Sequence, residues 1–291
     1  MASSLDGWLG IAPRAKIMSE EEDFIRSKVF DLLSRAEKES EITVRDDQEE
    51  FSALLDAARI CRRRGGRFRL IDCGKFSLFD LEWLAEAGAD IYTSDEARAD
   101  KTELDLLARA CARGNGVVAF FQHGALREDP EGGPSSPGFL LDIGRSGVDL
   151  HLTNRERTRD FGNLAGLAYA CHKAGSLLVY YHHGRPAAGL EDVVRNGAWI
   201  HLSDQSFQAE EDAPLLADLL RQAEAAGAGL VLHIEKGQEM SVLRALFKSG
   251  AYVLFKTPPS DSWSSLQALE TEARKRTPGF RTYYLYTTFL P

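Results

Sequence analysis

The chain has 291 residues, 44% of them hydrophobic, with four cysteines and a formal net charge of -9. That length buries one large core, and the acidic balance argues against nucleic acid or anionic membrane as a bulk partner, since both need a protein to neutralise phosphates. With no apolar window near the ~20 residues of a membrane span, no basic-then-apolar leader in MASSLDGWLG and no C-x-x-C pair among Cys61, Cys73, Cys111 and Cys171, a cytoplasmic protein without a zinc knuckle or disulfide scaffold is expected.

Two amphipathic helices open the chain. Phe24, Ile25, Val29, Phe30, Leu32 and Leu33 recur at helical spacing between Glu20 and Glu37, and Phe51, Leu54, Leu55, Ala58 and Ile60 do so between Gln48 and Gly65. Residues 1–65 therefore read as a helical extension packed on the remainder of the chain, and Arg62, Arg63 and Arg64 complement the dipole at its last helix end. Between the two helices EITVRD has the composition of a short strand, which would add one to the strand count given by the repeats.

From Arg67 to Thr257 a pattern recurs four times. An apolar run ends in a polar cluster and Gly, a helix-like stretch comes next, and a Gly-led run ends in a small hydroxyl residue with Asp or Asn nearby. Its traces are LIDCGK and GADIYTSDE, FFQHGA and GVDLHLTNRE, YYHHGR and GAWIHLSDQ, LHIEKGQ and GAYVLFKTPP. Each unit supplies two strands and two helices, so four units give the count of a (β/α)8 TIM-type barrel over residues 66–277. The strands are expected at Phe68–Cys73, Asp90–Ser94, Val117–Gln122, Asp149–Thr153, Leu178–His182, Trp199–Ser203, Leu230–Glu235 and Tyr252–Lys256, near-continuous apolar runs suited to parallel strands. LREDPEGGPSSPGF after the third strand reads either as a loop at the barrel mouth or as a tolerated insertion. Residues 278–291 form a strand-like aromatic tail, expected to pack on the barrel, join another copy in a homo-oligomer, or bind a protein partner.

Strand alternation then selects the lumen. In the second strand of each unit, Tyr92, His151, His201 and Leu254, with Ser94, Thr153, Ser203 and Lys256 one step higher, should point inward. In the first strand, aligning Gly74, Gly124, Gly184 and Gly237 makes Asp72, Gln122, His182 and Glu235 equivalent and inward, with Ile71, Phe121, Tyr181 and Ile234 facing the helices. Six of the seven histidines fall in or just after strands. Carboxylates and imidazoles converging on one point form the ligand set of a divalent metal (zinc, manganese or iron), here Asp72, His182, His201 and Glu235. Ordinary hydrogen-bonded core histidines are the other reading, supported by Tyr and Leu at the equivalent positions and by the lack of H-x-H or H-E-x-x-H.

Beyond the strand ends stand Lys75, Arg155, Arg185, Lys236 and Lys256, a set that would bind a small phosphate- or carboxylate-bearing ligand or pair with the acidic residues beside it. No glycine-rich cradle indicates a nucleotide cofactor. Lys256 is placed for Schiff-base or enolate chemistry, or for an ion pair with Asp72. Cys73, beside Asp72 at a strand end, has the address of a reactive thiol. Two functions fit. One is a barrel enzyme acting on a small anionic substrate at the C-terminal mouth by metal-assisted hydrolysis, with His151 or Asp204 moving a proton and Lys256 catalytic. The other is a non-catalytic barrel that binds a protein or itself through its N-terminal helices and tail.

Overall fold

The computed structural model describes residues 29–122, 136–155, 158–235, 240–255 and 264–276. Nine parallel strands lie in one sheet in sequence order, β1 Glu41–Arg45, β2 Arg67–Ile71, β3 Ala89–Ser94, β4 Val118–Phe121, β5 Asp149–Thr153, β6 Leu178–His182, β7 Trp199–Ser203, β8 Leu230–Ile234 and β9 Tyr252–Phe255. A helix over residues 29–38 (α1) precedes β1. The strands then alternate with α2 Phe51–Arg64, α3 Leu78–Glu86, α4 Lys101–Gly114, α5 Pro137–Arg145, α6 Phe161–Ala174, α7 Leu190–Arg195, α8 Ala209–Ala225 and α9 Met240–Lys248, and α10 Ser264–Ala273 comes after β9.

Local chemistry sets these boundaries. Side chains of Ser77, Asp100, Ser136 and Asp160 accept backbone N–H groups at the starts of α3, α4, α5 and α6. α4 ends on Asn115 with φ 62°, a left-handed turn that a short polar side chain tolerates where a β-branched one would not.

Both faces of the sheet are dry. Phe68, Leu70, Ile91, Phe120, Leu150, Leu152, Tyr180, Ile200, Leu202, Leu232 and Val253 pack with the helices in one large core. Ile71, Tyr92, Ala119, Phe121, Val179 and Tyr181 form a second cluster on the opposite face, with Leu177 and Trp199 against it. Tyr92 on β3 and Tyr181 on β6 belong to this one cluster, which brings strands three apart to one interior. The chain is thus an α/β barrel, with helices as the outer jacket and aromatic side chains as the filling.

The strand count is nine rather than eight. EITVR pairs along its whole length with β2, Glu41 against Arg67 through Arg45 against Ile71. The sheet therefore starts inside the segment assigned from sequence to a helical extension. The strand composition of EITVRD is thus realised, with exposed Glu41 alternating with buried Ile42 and Val44 along an edge strand. Among the described residues no ladder joins β9 to β1.

Candidate functional site

Three polar tiers line the barrel from its N-terminal to its C-terminal end. In the lowest, Asp90 Oδ1 accepts Val117 N–H at 3.0 Å and Asp149 Oδ1 accepts Leu177 N–H at 2.8 Å, each carboxylate bracing the start of the next strand. Buried Arg69 joins this tier, donating to Glu41 Oε2 at 3.0 Å. The later units put Trp199 and Tyr252 at the positions of Asp90 and Asp149, and their rings lie 5.5 Å apart.

Burial, opposed mainly by Arg67, raises the Asp90 carboxyl from 3.8 to about 6. Its folded value lies above its unfolded one, so no penalty exists below the unfolded value. A penalty grows as pH rises from about 4 to about 6 and is full above that, at roughly 2–3 kcal/mol. Asp90→Asn is accordingly expected to be more stable than the parent chain by roughly 2 kcal/mol at about pH 7.5, with the gain vanishing near pH 4. Urea unfolding at both pH values checks this; a gain independent of pH would show that ionisation is not its source.

The middle tier is a belt of six buried rings on consecutive strands, Tyr92, Phe121, His151, Tyr181, His201 and His233. Successive ring centroids are 6.0, 4.2, 5.9, 4.7 and 5.2 Å apart. His151 Nδ1 lies 2.9 Å from Tyr181 Oη, and His201 Nδ1 lies 2.9 Å from His233 Nε2. The imidazole contact needs one nitrogen with a proton and one without, so the two rings cannot both be charged. Burial first, then His233 and His151, hold His201 well below the ordinary histidine range. Burial likewise drives the Tyr181 phenol up.

In the upper tier the repeated hydroxyl-plus-Asp/Asn ending has a structural use. Asp46 accepts Cys73 N–H at 3.0 Å and Lys75 N–H at 3.1 Å, Asn154 Oδ1 accepts His183 N–H at 2.6 Å, and Asp204 Oδ1 accepts Glu235 N–H at 2.7 Å. Each residue just past a strand thus holds the end of the following strand. Buried Asp204, read from sequence as a proton carrier, is one of these braces.

Register corrects the parity obtained by aligning glycines. Arg45 faces Ile71, Ser94 faces Phe121, Thr153 faces Tyr181 and Ser203 faces His233, so Ile71, Phe121, Tyr181 and His233 are the true equivalents. Ile71, Phe121 and Tyr181 consequently point inward, while Asp72, Gln122 and His182 turn toward the helices. The fourth unit carries one extra residue before Gly237, and this leaves Ile234 outside and Glu235 inside.

The four residues read as metal ligands therefore occupy separate environments. Asp72 is buried beneath the helices, accepting from Arg98 Nε at 2.7 Å and Thr93 Oγ1 at 2.8 Å. His182 packs on Phe161 and Tyr180, its Nε2 lying 3.0 Å from Arg185 O, with burial lowering its pKa. His201 and His151 belong to the belt. Glu235 stands above it, taking Ser203 Oγ at 3.2 Å and Gln205 Nε2 at 2.5 Å.

Among the described residues, three ligand atoms come within 4.8 Å of one another at Asp46, Asp47 and Cys73. A divalent ion held there would share its donors with bonds already made. Asp46 holds two backbone N–H groups, and Asp47 is clasped by Arg45 at 3.0 and 2.8 Å. Burial and then Asp46 push the Cys73 thiol up to about 11, so it is also no activated nucleophile.

Of the cations assigned to an anion, Lys75 Nζ donates to Glu49 O at 2.7 Å, and Arg185 pairs with Glu211 at 2.9 Å and Asp212 at 2.8 Å. Arg155 is exposed beyond β5, its N–H resting on Thr153 Oγ1 at 3.1 Å. Lys236, Lys256 and the tail over 278–291 lie outside the described residues. No helix among the described residues is long and apolar enough to cross a membrane. Tyr92, His151 and His201 of the belt were placed inward by sequence alternation, whereas Phe121 and Tyr181 as belt members, and the braces, escaped it, although one signal for the braces was present: each Asp or Asn precedes the residue it holds by 27, 29 or 31 positions.

No protein-family model and no curated protein matches the chain. Among solved structures it is similar to an HpcH/HpaI aldolase from Desulfitobacterium hafniense, at 9% identity over 74% of this chain and 94% of that one, with a TM-score of 0.36. Similar too are a 3-dehydroquinate dehydratase from Aquifex aeolicus (13% identity, 81% and 97% covered, TM-score 0.35) and a deoxyribose phosphate aldolase from Aeropyrum pernix (12%, 85% and 96%, 0.32). Scores of this size carry no argument about chemistry, and the barrel assignment rests on strand order and the two packed faces.

Proposed function

We propose that the chain is an α/β-barrel enzyme acting on a small phosphate- or carboxylate-bearing substrate at the C-terminal mouth, by acid–base chemistry centred on Glu235. The observation that carries this reading is the placement of Glu235. It is a half-buried carboxylate, fixed through its backbone by Asp204 and through its side chain by Ser203 and Gln205, above a floor of packed rings. A carboxylate held still at the edge of a dry floor suits proton transfer, because its geometry is set before substrate arrives. Thr153 and Ser203 bring hydroxyls to the same rim, and Arg155 is the exposed cation placed to meet an anion there. Metal-assisted hydrolysis through Asp72, His182, His201 and Glu235 loses support because those donors do not meet.

A panel of 2-oxo acids, dicarboxylates and sugar phosphates, screened by thermal shift and then for turnover, tests the proposal. At least one compound is expected to raise Tm and be consumed. Glu235→Gln is expected to lower kcat by about 100-fold or more with little change in Kd, and Arg155→Ala to raise KM by about tenfold. A panel without a ligand, or a Glu235→Gln variant with full turnover, removes the reading and favours a non-catalytic barrel.

A further inference from the structure

Helix α2 runs antiparallel to the strands, so its last turn lies at the end of the barrel opposite the mouth. There α1, α2 and α3 enclose an open groove of about 760 Å³, floored by Leu33, Leu55, Ile60 and Trp83 and edged by Arg62 and Arg63. Its apolar floor continues onto exposed surface. Trp83 is 48% exposed and its ring meets that of Phe79, which is 62% exposed, at a tilt with centroids 5.4 Å apart. Phe30, 72% exposed, sits one turn before Leu33 on the same face of α1. Scattered exposed apolar residues are ordinary, whereas large rings meeting along one groove mark a contact surface.

Charge indicates what covers it. The acids at the rim are already matched, Asp56 facing Arg59 at 3.7 Å and Glu86 accepting Arg113 at 2.6 Å. Arg62 donates to the Glu86 carbonyl at 2.7 Å, and neither Arg62 nor Arg63 meets a carboxylate among the described residues. Two cations that meet no carboxylate among the described residues are complementary to acidic groups on a docked partner. We propose that this groove docks a short amphipathic helix of a protein partner, with bulky apolar side chains one turn apart on Leu33, Leu55 and Trp83, and Asp or Glu beside them on Arg62 and Arg63. The surface is separate from the mouth and independent of the chemistry there.

The test uses the full-length chain and a fluorescent 18-residue helical peptide, with Leu and Phe at one face and Glu elsewhere, against its isomer carrying Lys for every Glu. Fluorescence anisotropy is expected to show the Glu peptide binding at least tenfold tighter than the Lys peptide, and more weakly as salt rises. Trp83→Ala and the double change Arg62→Glu/Arg63→Glu, both checked for an unchanged circular dichroism spectrum, should each weaken it at least tenfold. Equal affinity for the two peptides, no binding, or binding indifferent to the Arg62→Glu/Arg63→Glu change overturns the proposal. So does binding that appears only after residues 1–28 are deleted, which gives the groove to the chain's own N-terminus. A dimer seen by sedimentation and dissolved by Trp83→Glu gives it to a second copy and has the same effect.

Discussion

Arg98→Ala is expected to lower the free energy of unfolding by about 3–5 kcal/mol, the cost of removing one partner from a buried ion pair. Arg98 is 7% exposed, and its guanidinium reaches Asp72 at 2.7 Å, Glu103 at 3.2 Å and the Phe76 carbonyl at 2.6 Å. Deleting it leaves the Asp72 charge under the helices with the Thr93 hydroxyl and the Gly74 N–H as its remaining described donors. Asp72→Ala combined with Arg98→Ala should cost less than the sum of the single changes, since the orphaned charge is then absent. Urea unfolding of the three variants checks both statements; a loss under about 1 kcal/mol for Arg98→Ala would show that water reaches the pair.

Phe121→Ala should cost about 3–5 kcal/mol, because it empties the centre of a closely packed interior. The ring is fully buried, stacked 4.2 Å from His151 and 6.0 Å from Tyr92. Phe121→Leu keeps most of the volume and should cost under about 2 kcal/mol. The same belt makes the fold sensitive to acid. His201 is held well below its ordinary range, so above the unfolded histidine value it contributes nothing. As pH falls below about 6.5 the unfolded chain takes up a proton that the folded chain refuses, and stability declines. The difference in stability between the parent and a chain carrying His201→Phe, compared at about pH 7 and pH 5, is expected to shift against the parent as pH falls, because the other titrating groups are common to both.

Much of the architecture was legible because it is written in periodicity. Asp149–Thr153, Leu178–His182 and Trp199–Ser203 are apolar runs bounded by glycines, and the strands occupy those same residues. Inward parity was also legible for Tyr92, His151 and His201, whose flanking Ile91, Leu150 and Ile200 sit in the helix-facing core. Parity failed for Asp72 and His182 because glycines after a strand mark where a turn is needed, not where pairing stops. The hydrogen-bond register alone carries that second fact, and it appears only when neighbouring strands are seen together. The braces were hidden for a related reason. An Asp or Asn past a strand end has the same local sequence whether it faces a ligand or a backbone N–H some thirty residues away.

The single carboxylate of Glu235 above the belt also gives the barrel a compass bearing. All four first strands keep one phase, and the fourth brings an acid, Glu235, to the place where its siblings bring residues such as Cys73 and His183. A guest arriving from above would meet a negative pole on one stave and hydroxyls on those nearby, so it could settle in one orientation out of four. Removing one residue between Glu235 and Gly237 would restore the symmetry of the sequence without moving that pole, because the neighbouring stave, not the glycine, sets the phase.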